Sequence, residues 1–208
     1  MIRGLYGIAD AGFGDPVALG TLLLDGGASV IQLRCKGWSA DDVGAVARLL
    51  HPLCKQRGVP LILNDHLALA EAGLGDGIHL GQSDGDFERS RLPPGCLVGR
   101  STHDLAQLAA AQAEGVDYVG FGPVYRTSTK PGIHQTLPPR GLTDLRKLVA
   151  AARVPVVAIG GITPANLHEV LSTGAAAWAV ISGVLAAVDP LAAARKMAKG
   201  EPSDSDMA

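Results

Sequence analysis

The sequence predicts an α/β chain closed into a single (βα)8 barrel of the TIM-barrel type, and three observations carry that prediction. Eight short apolar runs alternate with helical stretches along most of the 208 residues, the order from which parallel barrels are built. The runs lack strict alternation, which suits strands covered by helices rather than a sheet with one wet face. Polar residues gather at the C-terminal ends of several runs, where barrel enzymes assemble their sites. A doubly wound open sheet is the alternative. Against it, no glycine-rich dinucleotide turn follows the first run, where Tyr6–Asp10 leads into Ala11–Pro16.

In chain order, strands are predicted at Leu5–Ala9, Val30–Arg34, Pro60–Asn64, Gly77–Leu80, Leu97–Ser101, Tyr118–Phe121, Val156–Gly160 and Trp178–Ile181. The clearest helices between them are Ala40–Arg57, Leu105–Glu114, Leu142–Ala152, Pro164–Thr173 and Leu191–Ala198. Pro52 is a point at which the first of these is expected to kink or split. Gly141 and Thr143 read as a helix start, and so does Thr163–Pro164, an N-cap followed by proline at the first helical position. Gly26, Gly58, Gly73, Gly115 and Gly174 fall where helices should stop. The barrel is expected to fill residues 1–199 as one catalytic domain, with 200–208 (GEPSDSDMA) as a disordered polar tail.

Composition excludes several classes. With 47% hydrophobic residues and only 18% charged, the chain has ample apolar surface to bury, so disorder is excluded for most of its length. A net charge of −2 argues against a basic nucleic-acid grip. Cys35, Cys54 and Cys96 are odd in number and form no CxxC pair, which reads as a reduced, cytoplasmic setting. No 18-residue apolar run and no charged-then-apolar leader is present, so neither a membrane span nor a secretion signal is expected. The expected partners are small molecules, with room left for a homo-oligomer.

The strand ends carry the chemistry. In Gln32-Leu33-Arg34-Cys35-Lys36, alternation puts Gln32 and Arg34 on one side and Leu33 on the other. Inward polar groups at the top of a barrel are costly unless they meet a ligand; a surface Arg and Lys at a strand terminus is the plainer reading. The third strand ends at Asn64-Asp65 and the fourth is followed by a loop carrying Asp84. Neighbouring parallel strands lie about 4.8 Å apart, so both carboxylates are within reach of one cation, and Mg²⁺ favours such oxygen ligands with positions left for phosphate. Each Asp is equally well placed to cap a following helix. After the sixth strand, Val124–Gly132 carries hydroxyls and two cations, of which Lys130 suits an anion as a mobile point charge. Glycines follow both the seventh strand (Gly160, Gly161) and the eighth (Gly183), where barrels frequently seat a phosphate. They point to a phosphorylated ligand. Cys35, between Arg34 and Lys36, sits where cations lower a thiol pKa, although a small residue in a turn explains it more simply.

Seven pieces in series carry a family resemblance: QLRCK at Gln32–Lys36, LILND at Leu61–Asp65, HLGQSD at His79–Asp84, GRSTH at Gly99–His103, DYVGFGPVYRTSTK at Asp117–Lys130, VPVVAIGGIT at Val154–Thr163 and AVISG at Ala179–Gly183. From Leu5 to about Lys199 the chain resembles the thiamine phosphate synthase family. That resemblance implies a transferase joining a hydroxymethylpyrimidine diphosphate to a thiazole phosphate, with pyrophosphate released. It implies Mg²⁺ on Asp65 and Asp84; diphosphate contacts from Arg34, Lys36, Asn64 and Lys130; Gln32 and Ser101 on the pyrimidine side; and Thr127, Thr129, Gly161, Ile181 and Ser182 around the thiazole phosphate. Lys130, Ser101 and Arg34 are the residues it implies for catalysis.

The chain departs from the family pattern at His66, usually Arg, at Arg126, usually Pro, and at Ala176-Ala177-Trp178, usually Asp-Gly and a small aliphatic residue. Trp178, bulky for a barrel strand, is expected to face the helix layer rather than a ligand. Ser182–Leu185 (SGVL) is closer to the related thiazole tautomerases, whose acid/base histidine lies where this chain has Pro123. Proline transfers no proton, so the isomerase reading is the weaker. A noncatalytic binder of thiamine precursors is the third reading, and it leaves Asp65, Asp84 and Lys130 without a purpose.

Overall fold

The computed structural model describes residues 2–127 and 138–200. Eight strands form a closed barrel in sequence order: β1 (Gly4–Asp10), β2 (Val30–Arg34), β3 (Leu61–Asn64), β4 (Gly77–Leu80), β5 (Leu97–Thr102), β6 (Tyr118–Phe121), β7 (Val156–Ile159) and β8 (Ala177–Val180). β8 pairs back onto β1 in parallel, with Tyr6 opposite Ala179. The helices between them are α1 (Pro16–Asp25), α2 (Ala40–Gln56), α3 (Leu67–Glu71), α4 (Leu105–Ala113), α5 (Gly141–Ala151), α6 (Leu167–Leu171), α7 (Ser182–Leu185) and α8 (Pro190–Lys199). Among the described residues, β4 and β5 are joined by a 3₁₀ turn at Arg89–Arg91 instead of an α-helix.

Local chemistry accounts for the helix starts. The carboxylate of Asp15 accepts from the Ala18 N–H at 3.1 Å, with Pro16 next in line. Ser39, Asp104 and Asp189 do the same for α2, α4 and α8. Two expected starts differ. α5 begins at Gly141 with no side-chain cap, and Thr143 lies inside it. The Thr163–Pro164 start gives way to a turn, because Asn166 Oδ1 takes the Thr163 N–H at 2.8 Å and the helix begins only at Leu167. Pro52 is carried inside an unbroken α2. Gly200 closes α8 in the left-handed conformation; the rest of the proposed tail, 201–208, lies outside the described residues.

Strand alternation divides the core in two. Leu5, Leu33, Leu63, Val119 and Phe121 point outward to the helices, while Tyr6, Ile8, Ile62, Tyr118, Val157 and Ala179 fill the barrel. Trp178 belongs to the outer layer, as expected. Room for two tyrosines inside a barrel comes from small neighbours: a Cβ on Gly99 would stand 2.1 Å from Tyr118 Cζ. The barrel is therefore sealed below, and side chains near the C-terminal strand ends line what lies above. Among the described residues, no helix is long and apolar enough to cross a membrane.

Candidate active site

A row of hydrogen bonds crosses the barrel interior beneath the site. Gln32 Nε2 donates to the Tyr6 hydroxyl at 2.9 Å, and the Tyr6 and Tyr118 hydroxyls share a bond of 2.9 Å. His79 then bridges Tyr118, 3.1 Å from Nδ1, and Ser101, 2.9 Å from Nε2. Burial pushes both phenol pKa values up, so these hydroxyls stay protonated. Each buried polar group thus has a partner, which avoids the desolvation penalty and fixes the Gln32 amide and the Ser101 hydroxyl in place. Tyr6, Tyr118 and His79 were not candidates from the sequence. Their shared parity with Ile8, Gly120 and Gly77 was the available signal, but partners 112 residues apart leave no local spacing to read.

Above this row, Gln32, Ser101, Thr127, Gly161, Ile181 and Ser182 line one cavity. Its apolar walls come from Ile8, Val157, Ile159 and Ala179, and His103 and Pro123 complete the rim. Six of the sequence-derived site residues therefore converge. Thr129 and Lys130 lie outside the described residues.

The remaining candidates make a separate charged corner on the β1–β4 side. Arg34, 8% exposed, is ion-paired to Asp10, a carboxylate the sequence reading did not single out although it stands opposite Arg34 in register. Removing one partner of such a buried pair costs about 3–5 kcal/mol. Lys36 is ion-paired to Asp65, and Asp84 stands close enough to Asp65 for each carboxyl to shift the other's pKa. Burial and the contact with Asp84 hold the Asp65 pKa above the usual carboxylate range, against the pull of Lys36. For Asp84, burial pushes upward, but the Asp65 hydrogen bond and the Gly81 N–H outweigh it and the net direction is down. Asn64 is buried at the end of β3, one residue before Asp65.

Neither aspartate caps a helix. The N-cap of α3 is His66, with no side-chain bond, and Asp84 folds back to accept from the Gly81 N–H at 2.7 Å. Asp65 adopts φ 66°, a region that Asp tolerates better than most residues and that clusters at functional sites. Two neighbouring, half-buried carboxylates are a hard-oxygen donor set that suits Mg²⁺. Among the described residues, no group of three or more His, Cys, Asp or Glu is placed to hold a metal ion. A cation on the Asp pair would therefore complete its shell with water or substrate oxygens. Cys35, by contrast, is 2% exposed, and burial, aided by Asp10, pushes its thiol up to about 11 despite Arg34, which is unlike a reactive thiolate.

The far side of the mouth is built from three closely packed loops. The Val124 and Tyr125 N–H groups donate to the Ile159 and Gly160 carbonyls at 2.9 and 3.0 Å. Gly161, at φ 66°, lies under that segment: a Cβ there would stand 2.7 Å from the Arg126 carbonyl oxygen and 2.8 Å from Tyr125 Cβ. Loop packing is thus the first reason for this glycine. A Cβ on Gly183 would likewise stand 2.1 Å from the Ile162 carbonyl oxygen, so the turns after β7 and β8 touch. Tyr125 Oη donates to Glu169 at 2.6 Å, pinning the sixth loop to α6.

The family profile described as thiamine monophosphate synthase matches residues 5–184, from β1 through most of α7. The chain belongs to the thiamine monophosphate synthase family. It is 40% identical over 92% of its length to the thiamine-phosphate synthase of Herpetosiphon aurantiacus, covering 93% of that protein. It is also 40% identical to the thiamine biosynthesis bifunctional protein ThiED of Geobacter sulfurreducens, of which it spans only 40%. Among solved structures, thiamine phosphate pyrophosphorylase from Pyrococcus furiosus superposes with a TM-score of 0.85 at 33% identity, covering 95% of each chain. The family match spans the strands that carry both the cavity and the charged corner.

Proposed function

We propose that this chain joins 4-amino-2-methyl-5-(diphosphooxymethyl)pyrimidine to a thiazole phosphate, forming thiamine phosphate and pyrophosphate. The observation that carries this reading is the division of the barrel mouth: a neutral cavity on one side and, beside it, a corner holding Arg34, Lys36 and the Asp65–Asp84 pair. A reaction that parts a heterocycle from a diphosphate has use for both. The bond from the pyrimidine methylene to the diphosphate oxygen breaks, and its electron pair leaves with pyrophosphate. The thiazole nitrogen then gives its lone pair to the methylene carbon, so no general base is required.

Gln32 and Ser101, held by Tyr6 and His79, orient the pyrimidine. Arg34, Lys36, Asn64 and Lys130 bind the diphosphate oxygens, and Thr127, Thr129, Gly161, Ile181 and Ser182 seat the thiazole phosphate. Asp65 and Asp84 would hold Mg²⁺, which when bound would offset the charge gathering on the departing pyrophosphate. Three buried free thiols agree with a reduced, cytoplasmic setting. The test is direct: purified protein, Mg²⁺ and both precursors should yield thiamine phosphate, and omission of either precursor should yield none.

Gly161→Val bears on the thiazole side. The branched side chain meets the Arg126 carbonyl and Tyr125 and disfavours the left-handed backbone by about 1–2 kcal/mol. It should lift the sixth loop and raise the KM for thiazole phosphate, with a lowered melting temperature. An unchanged KM in a well-folded variant contradicts the placement of that substrate.

A further inference from the structure

We infer that Arg100 is a positioning residue for the metal corner, acting from the outer side of the barrel wall; the inference rests on the reading of Asp84 as a metal ligand. Arg100 is only 4% exposed and lies on β5 between Gly99 and Ser101, with parity opposite to Ser101, so it does not face the cavity. A buried guanidinium is costly unless its donors are met, and here they are met in a specific division. Nε and Nη2 donate to Glu114 Oε2 at 3.0 and 2.7 Å, while Nη1 donates to the carbonyls of Gly81 and Gly85 at 3.0 and 2.9 Å.

Those two carbonyls bracket the loop that carries Asp84. Gly81 is also the residue whose N–H holds Asp84 Oδ2 at 2.7 Å, so one glycine links the guanidinium to the carboxylate. A Cβ on Gly81 would stand 2.7 Å from Asp84 Oδ2, so a side chain there would displace that carboxylate. Gln82 ties the same loop to the Ser101 carbonyl. Glu114 on the end of α4 sets the angle of the guanidinium, and the guanidinium sets the separation of Gly81 and Gly85. The Asp84 carboxylate then meets Asp65 without a search through loop conformations. Groups that orient metal ligands in this way characteristically change metal affinity by about 10–100-fold.

Calorimetric titration of inorganic pyrophosphate in the presence of Mg²⁺ tests the inference. Arg100→Lys keeps the charge but loses the fork that spans two carbonyls and Glu114; it should bind magnesium pyrophosphate ~10-fold more weakly. Its turnover should recover as Mg²⁺ is raised, with the thiazole phosphate KM unchanged. Glu114→Gln should shift the affinity the same way by a smaller factor, and it decides the matter should Arg100→Lys fail to fold. A lowered melting temperature with unchanged affinity in the folded variants assigns Arg100 to stability alone and overturns the inference. Asp84→Ala run alongside separates the two levels: if that variant binds magnesium pyrophosphate like wild type, the metal reading itself falls, and this inference with it.

Discussion

Asp84→Ala and Asp65→Asn should each lower magnesium-dependent turnover by ~10²–10³-fold, the scale on which one preorganised electrostatic group acts in a transition state. The two carboxylates lie close enough to shift each other's pKa, and Lys36 is ion-paired to Asp65. Removing either carboxylate therefore leaves a single acidic ligand for the cation. The departing diphosphate gathers negative charge as the C–O bond breaks, and charge left uncompensated at that point appears in kcat. Asparagine is the sharper choice at position 65, because the backbone there sits at φ 66° and Asn tolerates that region where Ala is strained. Wild-type rates from both variants in trace metal would remove Asp65 and Asp84 from the mechanism.

Lys130→Ala should lower kcat for coupling by a comparable factor, ~10²-fold or more, while the KM for thiazole phosphate changes little. Lys130 lies outside the described residues, and its assignment rests on the motif that ends the sixth-strand loop. The kinetic split carries the information. A lysine that meets pyrophosphate contributes most when the leaving charge is largest, whereas one that only attracts an anionic substrate contributes equally before and during bond breaking. A loss confined to KM, with kcat intact, assigns Lys130 to uniform binding.

The barrel was legible because its strands are short, mostly apolar runs that alternate with helices and carry their polar residues toward their C-terminal ends, and eight such runs are the number that closes the barrel. Helices were legible where one face is apolar, as in α2 and α8. They were not where the segment is apolar nearly all round: α1 buries Pro16, Gly20, Leu23 and Leu24 at helical spacing, but the residues between them are mostly apolar too, so the sequence shows no contrast between faces. Its end was legible at Gly26, the C-cap that follows Asp25, and the left-handed residue is the next glycine, Gly27. The short helices α3 and α7, at five and four residues, are too brief to show a period.

The candidate site divides the same way. Asp65 directly follows β3 and Asp84 lies in the loop after the neighbouring β4, so topology brings them to one corner, and the fold of the 81–85 loop does the rest. Asp10, Tyr6, Tyr118 and His79 depend on pairings across the barrel between residues 24 to 112 positions apart, and one linear sequence gives no hint of which polar groups will satisfy one another. Arg100 was hidden for another reason. Within GRSTH its alternation points away from the cavity, and its effect on the site passes through two backbone carbonyls.

Transfer with release of pyrophosphate is separated from isomerisation of the thiazole by one paired measurement. Wild-type protein, Mg²⁺ and both precursors are followed for pyrophosphate, while deuterium exchange into the ring-adjacent positions of the thiazole phosphate is read in D₂O. The account predicts pyrophosphate released in step with thiamine phosphate and no catalysed exchange, because Pro123 stands where an isomerase needs a proton-transferring side chain. Exchange without pyrophosphate would contradict it and make the protein an isomerase of the thiazole.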